Sequence, residues 1–383
     1  MKKRILFING HLNTGGVERS LVDVLKHIDY SRYDVDLLLF EGEGEYRSEI
    51  PQDVHVYAYD ITHIYGSLLQ TLCTSIKMRS LFLFLYRLAV FFGNPLPVLR
   101  LFLRPCHKQY HAVIAYRTGL ANAIATRCIK ATKHISWWHH GEMNVFGKEK
   151  ETLAEEYQLC DHIVSVSNAC TRMLQREFPE SSSKFITIPN MLCADEIIAK
   201  AKLYNPVLTD KFNIVTVGRL SSEKNMHLCL ETAAKLKEQG VPFHWNIIGG
   251  GEQFDMLQSE LQQHNLSNEV TLHGSLSNPY PWVANSHLYF HPSLVESQGL
   301  TILEAMALGV PTISVASDGP REFVESGMNG ILINPAADEA VRSILQLYKN
   351  SELRSSIVQN AFATVKRFAP ATVISQIEEL LIA

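Results

Sequence analysis

The stretch His291–Thr312, which reads HPSLVESQGLTILEAMALGVPT, decides the fold class of this 383-residue chain. Just before it, Leu288–Phe290 predicts a short buried strand. The run from Leu300 to Leu308 predicts a helix that Gly309 and Pro311 close. A strand, a polar loop and a helix in this order form the repeating unit of a parallel α/β sheet. In such sheets, ligands bind in the crevice beyond the carboxyl ends of the strands.

Two glutamates in this stretch, Glu296 and Glu304, have seven residues between them. The first is expected on the loop after the strand, and the second just over one turn inside the helix. The backbone amides of Gln298, Gly299 and Leu300 open that helix, where unpaired N–H groups favour a phosphate. Carboxylates accept hydrogen bonds from hydroxyls. The pattern therefore predicts a site for a sugar nucleotide, which has hydroxyls on both sides of a diphosphate.

Cations are expected at a second strand-to-helix turn, in the segment Val217-Gly218-Arg219-Leu220 followed by Glu223-Lys224-Asn225. From that turn, Arg219 and Lys224 are placed to reach the diphosphate and to neutralise charge on a departing nucleoside diphosphate. A glycine-rich turn, with Gly249 and Gly250, follows the next predicted strand and is expected to shape the wall near the base.

The glycines Gly15 and Gly16 lie between the first predicted strand and the first helix. Because they have no side chains, backbone amides can approach a ligand closely at this turn.

Together these segments resemble the family-4 retaining glycosyltransferases. The E-x7-E pattern corresponds to Glu296 and Glu304, and the G-R-L-x-x-E-K-N pattern begins at Gly218. The family's G-x-G-x turn, its N-terminal G-G-x-E loop and its W-x-H-G-[DE] segment also have counterparts here, at residues 249–252, 15–18 and 138–142. The matches follow the family order from residue 15 to about 330. One departure is Asn190-Met191-Leu192-Cys193, where the family usually has N-P-x-D.

The resemblance implies the GT-B fold, in which two Rossmann-like domains with parallel sheets face each other across a cleft. We expect an acceptor-side domain over residues 1–192 and a nucleotide-sugar domain over 193–368. Residues 369–383 are expected to form a helix that crosses back to the first domain. Length supports this division independently, because 383 residues exceed one typical domain.

Alternating strand and helix signals fit two parallel sheets. The first series of predicted strands comprises residues 4–9, 33–40, 112–116, 134–138 and 162–166. The second comprises residues 212–217, 244–248, 269–272, 288–290, 312–315 and 330–333. A polar stretch from about Cys193 to Lys211 is expected to connect the two series.

For individual residues, the resemblance implies that Glu304 binds the ribose and that Glu296 contacts the donor sugar. It also implies that His140 lies near the donor sugar, with His139 as the rival because one residue of slip exchanges them. No residue is an evident covalent nucleophile. The resemblance implies same-face attack with retention of configuration, in which a donor phosphate oxygen takes the acceptor proton. It also implies that backbone amides at Gly15 and Gly16 approach the diphosphate and the reacting carbon.

Several other classes of function are disfavoured by composition and motifs. A formal net charge of −4 argues against a nucleic-acid partner, and seven cysteines without a C-x-x-C pair suit a reduced, cytoplasmic protein. Asp34-Val35-Asp36 imitates the D-x-D metal motif of GT-A transferases but opens a predicted strand. The histidines lack a zinc pattern. We therefore expect neither a metal nor a cofactor, and a nucleotide sugar as substrate.

A basic, acid-free segment lies between Asp60 and Glu142, where ten Lys and Arg residues occur without any Asp or Glu. It contains the aromatic run from Ser80 to Phe92, which is too short to span a bilayer. Cations beside aromatic residues, with Lys77, Arg79 and Arg87 expected to face lipid, suit peripheral contact with anionic membrane through residues 77–108. The alternative is a buried helix of the first domain, and one helix can serve both purposes.

The sequence as a whole predicts a retaining, metal-independent transferase that moves a hexose, with UDP the expected carrier, to an acceptor hydroxyl. The basic aromatic segment favours a lipid-linked saccharide used in surface polysaccharide synthesis, with a soluble acceptor as the alternative. The alternative from another class of function is a non-catalytic GT-B partner that binds a sugar nucleotide or scaffolds a glycan assembly complex. A GT-B epimerase is a more remote third reading.

Overall fold

The computed structural model describes residues 2–13, 15–59, 61 and 80–382. The chain divides into two compact units: unit 1 is Met1–Pro189 with Val373–Ala383, and unit 2 is Asn190–Thr372. Each unit contains one parallel β-sheet whose strands alternate with helices along the chain. This is the two-sheet α/β architecture that the sequence predicts.

Unit 1 is built on a seven-stranded sheet in the order β3-β2-β1-β4-β5-β6-β7. Its strands are β1 Lys3–Asn9, β2 Tyr33–Leu39, β3 Val54–Ala58, β4 Gln109–Ala115, β5 Lys130–Trp138, β6 His162–Ser165 and β7 Phe185–Thr187. Its described helices are α1 Gly16–His27, α2 Leu81–Phe91, α3 Leu96–Phe102, α4 Leu120–Arg127, α5 Gly147–Leu159 and α6 Asn168–Glu177. In the central strand β1, every residue from Ile5 to Ile8 is buried, as in a strand covered on both faces.

Unit 2 is built on a six-stranded sheet in the order β10-β9-β8-β11-β12-β13. Its strands are β8 Phe212–Val217, β9 Phe243–Ile248, β10 Val270–Leu272, β11 Leu288–His291, β12 Thr312–Val315 and β13 Ile331–Ile333. Its helices are α7 Ala194–Ala201, α8 His227–Glu238, α9 Phe254–Gln263, α10 Tyr280–Ala284, α11 Leu300–Ala307, α12 Ala337–Lys349 and α13 Ser351–Lys366. Trp245 and Phe290 meet edge to face in its largest core, with ring centroids 5.1 Å apart.

The final helix of the chain, α14 Pro370–Ile382, packs in unit 1, as the fold class predicts. Its apolar face is buried through Val373, Ile377, Leu380 and Leu381. Glu378 forms an ion pair with Arg32, and His111 Nε2 lies 2.7 Å from the carbonyl oxygen of Leu381. The helix is therefore attached to the first sheet by polar contacts as well as by burial.

The structure differs from the predicted elements at three places. Strands β3 and β7 were not predicted: β3 is a five-residue strand at a sheet edge with only two buried residues, and β7 has only three residues. The stretch from Cys193 to Lys211, expected as a polar connector, instead contains α7. Because Ile197 of this helix is buried in a core of unit 2, this part of the chain belongs to that unit.

The order of the strands reverses once in each sheet, between β1 and β4 in unit 1 and between β8 and β11 in unit 2. At such a reversal the loops after the two strands diverge and leave a crevice beyond the strand ends. In unit 2 these loops are residues 218–226 and 292–299, which contain the predicted site residues Gly218, Arg219, Lys224, Glu296, Gln298 and Gly299.

Candidate active site

Two loops meet at the strand reversal of unit 2. The amide of Leu294, on the loop after β11, donates to the carbonyl of Glu223 on the loop after β8, at 2.9 Å. Asn225, at the end of the short 3₁₀ helix Ser222–Lys224, has a left-handed backbone with φ 52° and donates through Nδ2 to the carbonyl of Pro292 at 3.3 Å. These bonds fix the position of Lys224 relative to the second loop.

Glu296 lies at the centre of this site and accepts hydrogen bonds from two residues. Lys224 Nζ lies 2.5 Å from its Oε1, and His291 Nε2 lies 2.9 Å from the same oxygen. Burial of the carboxyl raises its pKa. The hydrogen bond and charge of His291, together with the Lys224 ammonium, outweigh that effect and lower the pKa to about 2. Glu296 is therefore an ionised carboxylate at neutral pH.

His291 is a site residue for which no role was predicted. It ends β11, is buried, and directs Nε2 at Glu296, while its Nδ1 lies 3.4 Å from Tyr289 Oη and 3.5 Å from Thr301 Oγ1. Hydrogen-bonding partners on both ring nitrogens fix the orientation of the ring. The signal available in the sequence was its position at a strand end, five residues before Glu296.

Arg219 follows β8 directly and its side chain is exposed. Across the described residues, its guanidinium forms neither an ion pair nor a hydrogen bond. Its charge still acts on nearby Glu223. Burial raises the pKa of that carboxyl, but the Ser221 hydroxyl and the charges of Lys224 and Arg219 outweigh burial, so the pKa lies below its usual value. Arg219 thus has its donors available at the mouth of the crevice.

The predicted phosphate cradle lies at the N-terminus of α11. Gly299 caps that helix with a left-handed φ of 88°, a conformation that favours glycine. The amides of Gly299 and Leu300 donate to no backbone carbonyl of the described residues. Gln298, whose backbone amide is the third one predicted for the cradle, has a buried side chain that binds both backbone groups of Asn190: Oε1 accepts at 2.7 Å and Nε2 donates at 3.0 Å. It anchors the cradle to the start of unit 2.

The glycine-rich turn after β9 packs against the loop that holds Arg219. A Cβ atom on Gly249 would lie 1.8 Å from the carbonyl oxygen of Gly218, so no other residue fits there without moving the backbone. The amide of Leu220 donates to the carbonyl of Gly250 at 2.9 Å. Gly249 and Gly250 therefore let this turn approach Gly218 closely and support the loop with Arg219.

Glu304 lies on α11 and is half-buried. Tyr280 Oη donates to its Oε1 at 3.2 Å, so the carboxylate is held by a hydroxyl from α10. Glu304 and the amides of Gly299 and Leu300 share one short helix. Their spacing is therefore fixed by helix geometry.

Unit 1 places Gly15 and Gly16 at its own strand reversal. Gly15 caps α1, and a Cβ there would lie 2.3 Å from Glu18 Oε2, whereas a Cβ on Gly16 would meet nothing within 4 Å. Buried Glu18 pairs with Arg117, which follows β4, with Arg117 Nη2 3.1 Å from Glu18 Oε1. This ion pair joins the first turn of α1 to the loop after β4, and no role was predicted for either residue.

The two candidate histidines lie at the end of β5 and differ in exposure. His140 is exposed, and its carbonyl accepts a hydrogen bond from Trp138 Nε1 at 2.7 Å. The ring of His139 lies against Tyr116 and Trp137, and its buried Nε2 has no hydrogen-bond partner within the described part of the chain. Burial, reinforced by the charges of His140 and Arg117, lowers the pKa of His139 to about 3. His139 is therefore a neutral ring at physiological pH.

The described residues contain no cluster of three or more His, Cys, Asp or Glu side chains arranged to hold a metal ion. The D-x-D imitation lies in β2, where buried Asp36 accepts hydrogen bonds from Tyr110 Oη at 2.7 Å and Lys108 Nζ at 3.0 Å. Asp34 pairs with Arg4 at 3.2 Å. Both carboxylates thus have partners within unit 1.

Known protein families match both halves of the chain. Two family models match the chain, Glycosyltransferase Family 4 over residues 14–195 and Glycosyl transferases group 1 over residues 202–364. The chain belongs to the group 1 and family 4 glycosyltransferases. It is therefore a glycosyltransferase with the GT-B fold, as its motifs predict.

Individual relatives agree with this assignment. An uncharacterized glycosyltransferase from Haemophilus influenzae is 24% identical over 362 residues, 92% of each chain. The lipopolysaccharide core biosynthesis glycosyltransferase LpsE from Rhizobium meliloti is 29% identical over 181 residues, which are 46% of this chain and 52% of LpsE. The crystal structure of HepE from Anabaena in complex with UDP and glucose aligns with a TM-score of 0.71 at 21% identity, covering 99% of both chains.

Proposed function

We propose that this glycosyltransferase moves a hexose from a UDP-hexose to a hydroxyl of a saccharide acceptor, with retention of configuration and without a metal ion. The observation that carries the proposal is the arrangement at the strand reversal of unit 2. There the Lys224–Glu296–His291 cluster lies beside available donors from Arg219 and from the N-terminus of α11. Cations and helix amides around one crevice suit a diphosphate.

In this proposal each residue of unit 2 has a defined part. Arg219 and Lys224 stabilise the negative charge that develops on UDP as the glycosidic bond breaks. The amides of Gly299 and Leu300 bind a phosphate, and Glu304 accepts the ribose hydroxyls. Lys224 has three N–H donors, so one bound to Glu296 leaves two for phosphate oxygens. Glu296 accepts a hydroxyl of the donor sugar while it keeps Lys224 in place.

The proposed chemical step is same-face substitution at the anomeric carbon. The acceptor oxygen forms a bond to that carbon as the carbon–oxygen bond to UDP breaks, and both electrons of the broken bond leave with UDP. The acceptor proton goes to a phosphate oxygen of the departing UDP. In unit 1, His140 contacts the donor sugar, and Gly15 and Gly16 admit the reacting groups.

For the donor and acceptor, the comparisons supply supporting context. HepE was crystallised with UDP and glucose, which favours UDP as the carrier. LpsE is a lipopolysaccharide core biosynthesis glycosyltransferase, which favours an acceptor among surface saccharides. We therefore include a lipid-linked saccharide acceptor in the proposal, with a soluble saccharide as the alternative.

Peripheral contact with anionic membrane is part of the same proposal. No helix among the described residues is long and apolar enough to cross a bilayer. In the segment of α2 and α3, several large apolar side chains are instead exposed, including Leu81 at 65%, Phe92 at 74% and Leu101 at 65%. Exposed cations accompany them at Arg100 and Arg104. Apolar side chains beside cations favour an interfacial surface.

The structure corrects one detail of the basic segment. Arg87, expected among its lipid-facing cations, is buried at 7% exposure in α2 and so is not available to lipid. Lys77 and Arg79 lie outside the described residues. The proposed membrane surface therefore rests on Arg100 and Arg104.

The test of function is incubation of purified protein with a panel of nucleotide sugars. We expect calorimetry to detect binding of one UDP-hexose, with slow hydrolysis or transfer that keeps the anomeric configuration by NMR. A non-catalytic partner would bind the nucleotide sugar without hydrolysing or transferring it. An epimerase would release an isomerised sugar nucleotide.

A further inference from the structure

A cavity of about 470 Å³ lies within unit 1, at the carboxyl edge of its sheet. Its walls come from the loop after β4, the loop after β5, and helices α4 and α5. Its lining includes Thr118, Ala123, Val145, Thr152, Leu153 and Glu156, together with the charged residues Lys148 and Glu149. Ligands of α/β sheets bind at this edge, and the volume lies within the roughly 300–1,000 Å³ typical of small-molecule sites.

The wall combines apolar side chains with hydroxyls. Ala123, Val145 and Leu153 form the apolar part, whereas Thr118 and Thr152 contribute hydroxyl groups. A pyranose ring has matching chemistry, because its C–H faces are apolar and its edge carries hydroxyls. One cation, Lys148, and two carboxylates, Glu149 and Glu156, line the cavity, so a neutral ring with hydroxyls suits it better than a phosphate.

Glu156 is the distinctive polar group of the cavity. It is only 3% exposed, and one carboxyl oxygen, Oε2, accepts a hydrogen bond from buried Asn122 at 2.8 Å. The nearest cation to Oε1 is Arg127, at 3.9 Å, which is beyond hydrogen-bonding distance. Burial raises the pKa of this carboxyl, against the effects of Asn122 and Arg127. Glu156 lines the cavity, and Oε1 of its carboxyl can accept a hydrogen bond from a ligand hydroxyl.

We propose that this cavity binds a sugar ring of the acceptor saccharide, with Oε1 of Glu156 accepting a hydrogen bond from a ring hydroxyl. The inference rests on the proposed transferase function and adds the place where the acceptor is recognised. The apolar wall then contacts one face of the ring, and the hydroxyls of Thr118 and Thr152 bind its edge. Glu156 is a specificity residue in this arrangement and takes no part in bond breaking.

The experiment uses the full chain and a panel of p-nitrophenyl glycosides of glucose, galactose, mannose and N-acetylglucosamine, in both anomeric forms. Binding is followed by saturation-transfer NMR, and UDP binding is measured in parallel by calorimetry. Thr152→Trp fills the cavity from an exposed position, so it is expected to fold. Glu156→Gln keeps the shape and the contact with Asn122 while weakening the acceptor group.

We expect at least one glycoside to bind the wild-type protein, Thr152→Trp to abolish that binding, and Glu156→Gln to weaken it about tenfold. The matched control is Glu155→Gln on the same helix, where the side chain is exposed and pairs with Arg127; binding should stay at the wild-type level. UDP affinity should be unchanged in all variants.

The proposal would be overturned if the same glycoside bound wild type and Thr152→Trp with equal affinity. It would also be overturned if no glycoside of the panel bound the wild-type protein. A wild-type protein that does not bind UDP is a separate outcome. It would count against the proposed transferase function and not against the sugar-binding cavity.

Discussion

Lys224 Nζ lies 2.5 Å from Glu296 Oε1, although the two residues belong to different loops of the sheet in unit 2. Lys224 follows β8 and Glu296 follows β11, and these strands are neighbours at the reversal of strand order. The carboxylate holds the ammonium in one place, and His291 on the same oxygen holds the carboxylate. A cation fixed in this way loses less side-chain entropy when it binds a diphosphate.

The first prediction concerns the two cations of the loop after β8, Lys224 and Arg219. Changing Arg219→Ala or Lys224→Ala should lower turnover about 100-fold, because each removes one electrostatic stabiliser of the leaving group. Initial rates of donor hydrolysis or transfer, with circular dichroism as the check on folding, provide the measurement. The control is Arg342→Ala, an exposed arginine of α12. Near-normal rates in both site variants would show that the donor site lies elsewhere.

The second prediction follows from the low pKa of Glu296. Since that pKa is lowered from 4.5 to about 2, the carboxylate contributes stability above about pH 4.5, and this contribution is lost as the pH falls through about 2. Glu296→Gln should therefore reduce the free energy of unfolding by up to about 3 kcal/mol near neutral pH. The difference from wild type should shrink as the pH falls below about 4.5.

Urea titrations of wild type and Glu296→Gln across this pH range measure the effect. Glu325→Gln, at an exposed position, is the control and should differ from wild type by a small amount that does not change with pH. A difference for Glu296→Gln that is constant from neutral pH to about pH 3 would contradict the assigned ionisation of Glu296.

The third prediction concerns metal independence. In the proposed mechanism Arg219, Lys224 and the helix amides carry out the charge neutralisation that a divalent ion provides in other transferases. Excess EDTA should therefore leave transfer rates largely unchanged. Rates measured with EDTA, and again after addition of Mg²⁺ or Mn²⁺, check this. Loss of activity on chelation that either ion restores would refute the mechanism.

Much of the fold followed from local pattern, because the strands of parallel sheets are continuous apolar runs with clear turn signals. The core strands of both series were predicted within a few residues. Strand β3 was missed because it is a short edge strand of five residues without a continuous buried run. Helix α7 was missed because charged residues make its short sequence resemble a connector, although Ile197 is buried.

The sequence indicated individual residues of the candidate site, but only the structure showed which of them are in contact. Motifs indicated Lys224 and Glu296 separately, but their contact depends on β8 lying next to β11, which strand order decides and local sequence does not. His291 escaped notice because its contact with Glu296 depends on the path of an irregular loop. Arg87 was misjudged because α2 is apolar on all sides, so its sequence does not reveal which face is buried.

The last prediction concerns the surface of α2 and α3. Binding to anionic vesicles should occur and should weaken with salt, because attraction between exposed charges is screened over about 8–10 Å at physiological ionic strength. Each exposed cation near the surface contributes about 1 kcal/mol. Reversing Arg100 and Arg104 to Glu should therefore abolish sedimentation with anionic vesicles, and Phe92→Ser should weaken it.

The matched control reverses Lys235 and Lys237 to Glu, two part-exposed cations on α8 of unit 2. This variant should sediment like wild type. The Arg100 and Arg104 variant should keep its affinity for UDP, because the residues assigned to UDP lie in unit 2. If the protein sedimented equally with neutral and anionic vesicles, or sedimented with neither kind, the membrane contact would be removed from the proposal. A soluble saccharide would then be the favoured acceptor, since exposed apolar side chains alone do not select anionic lipid.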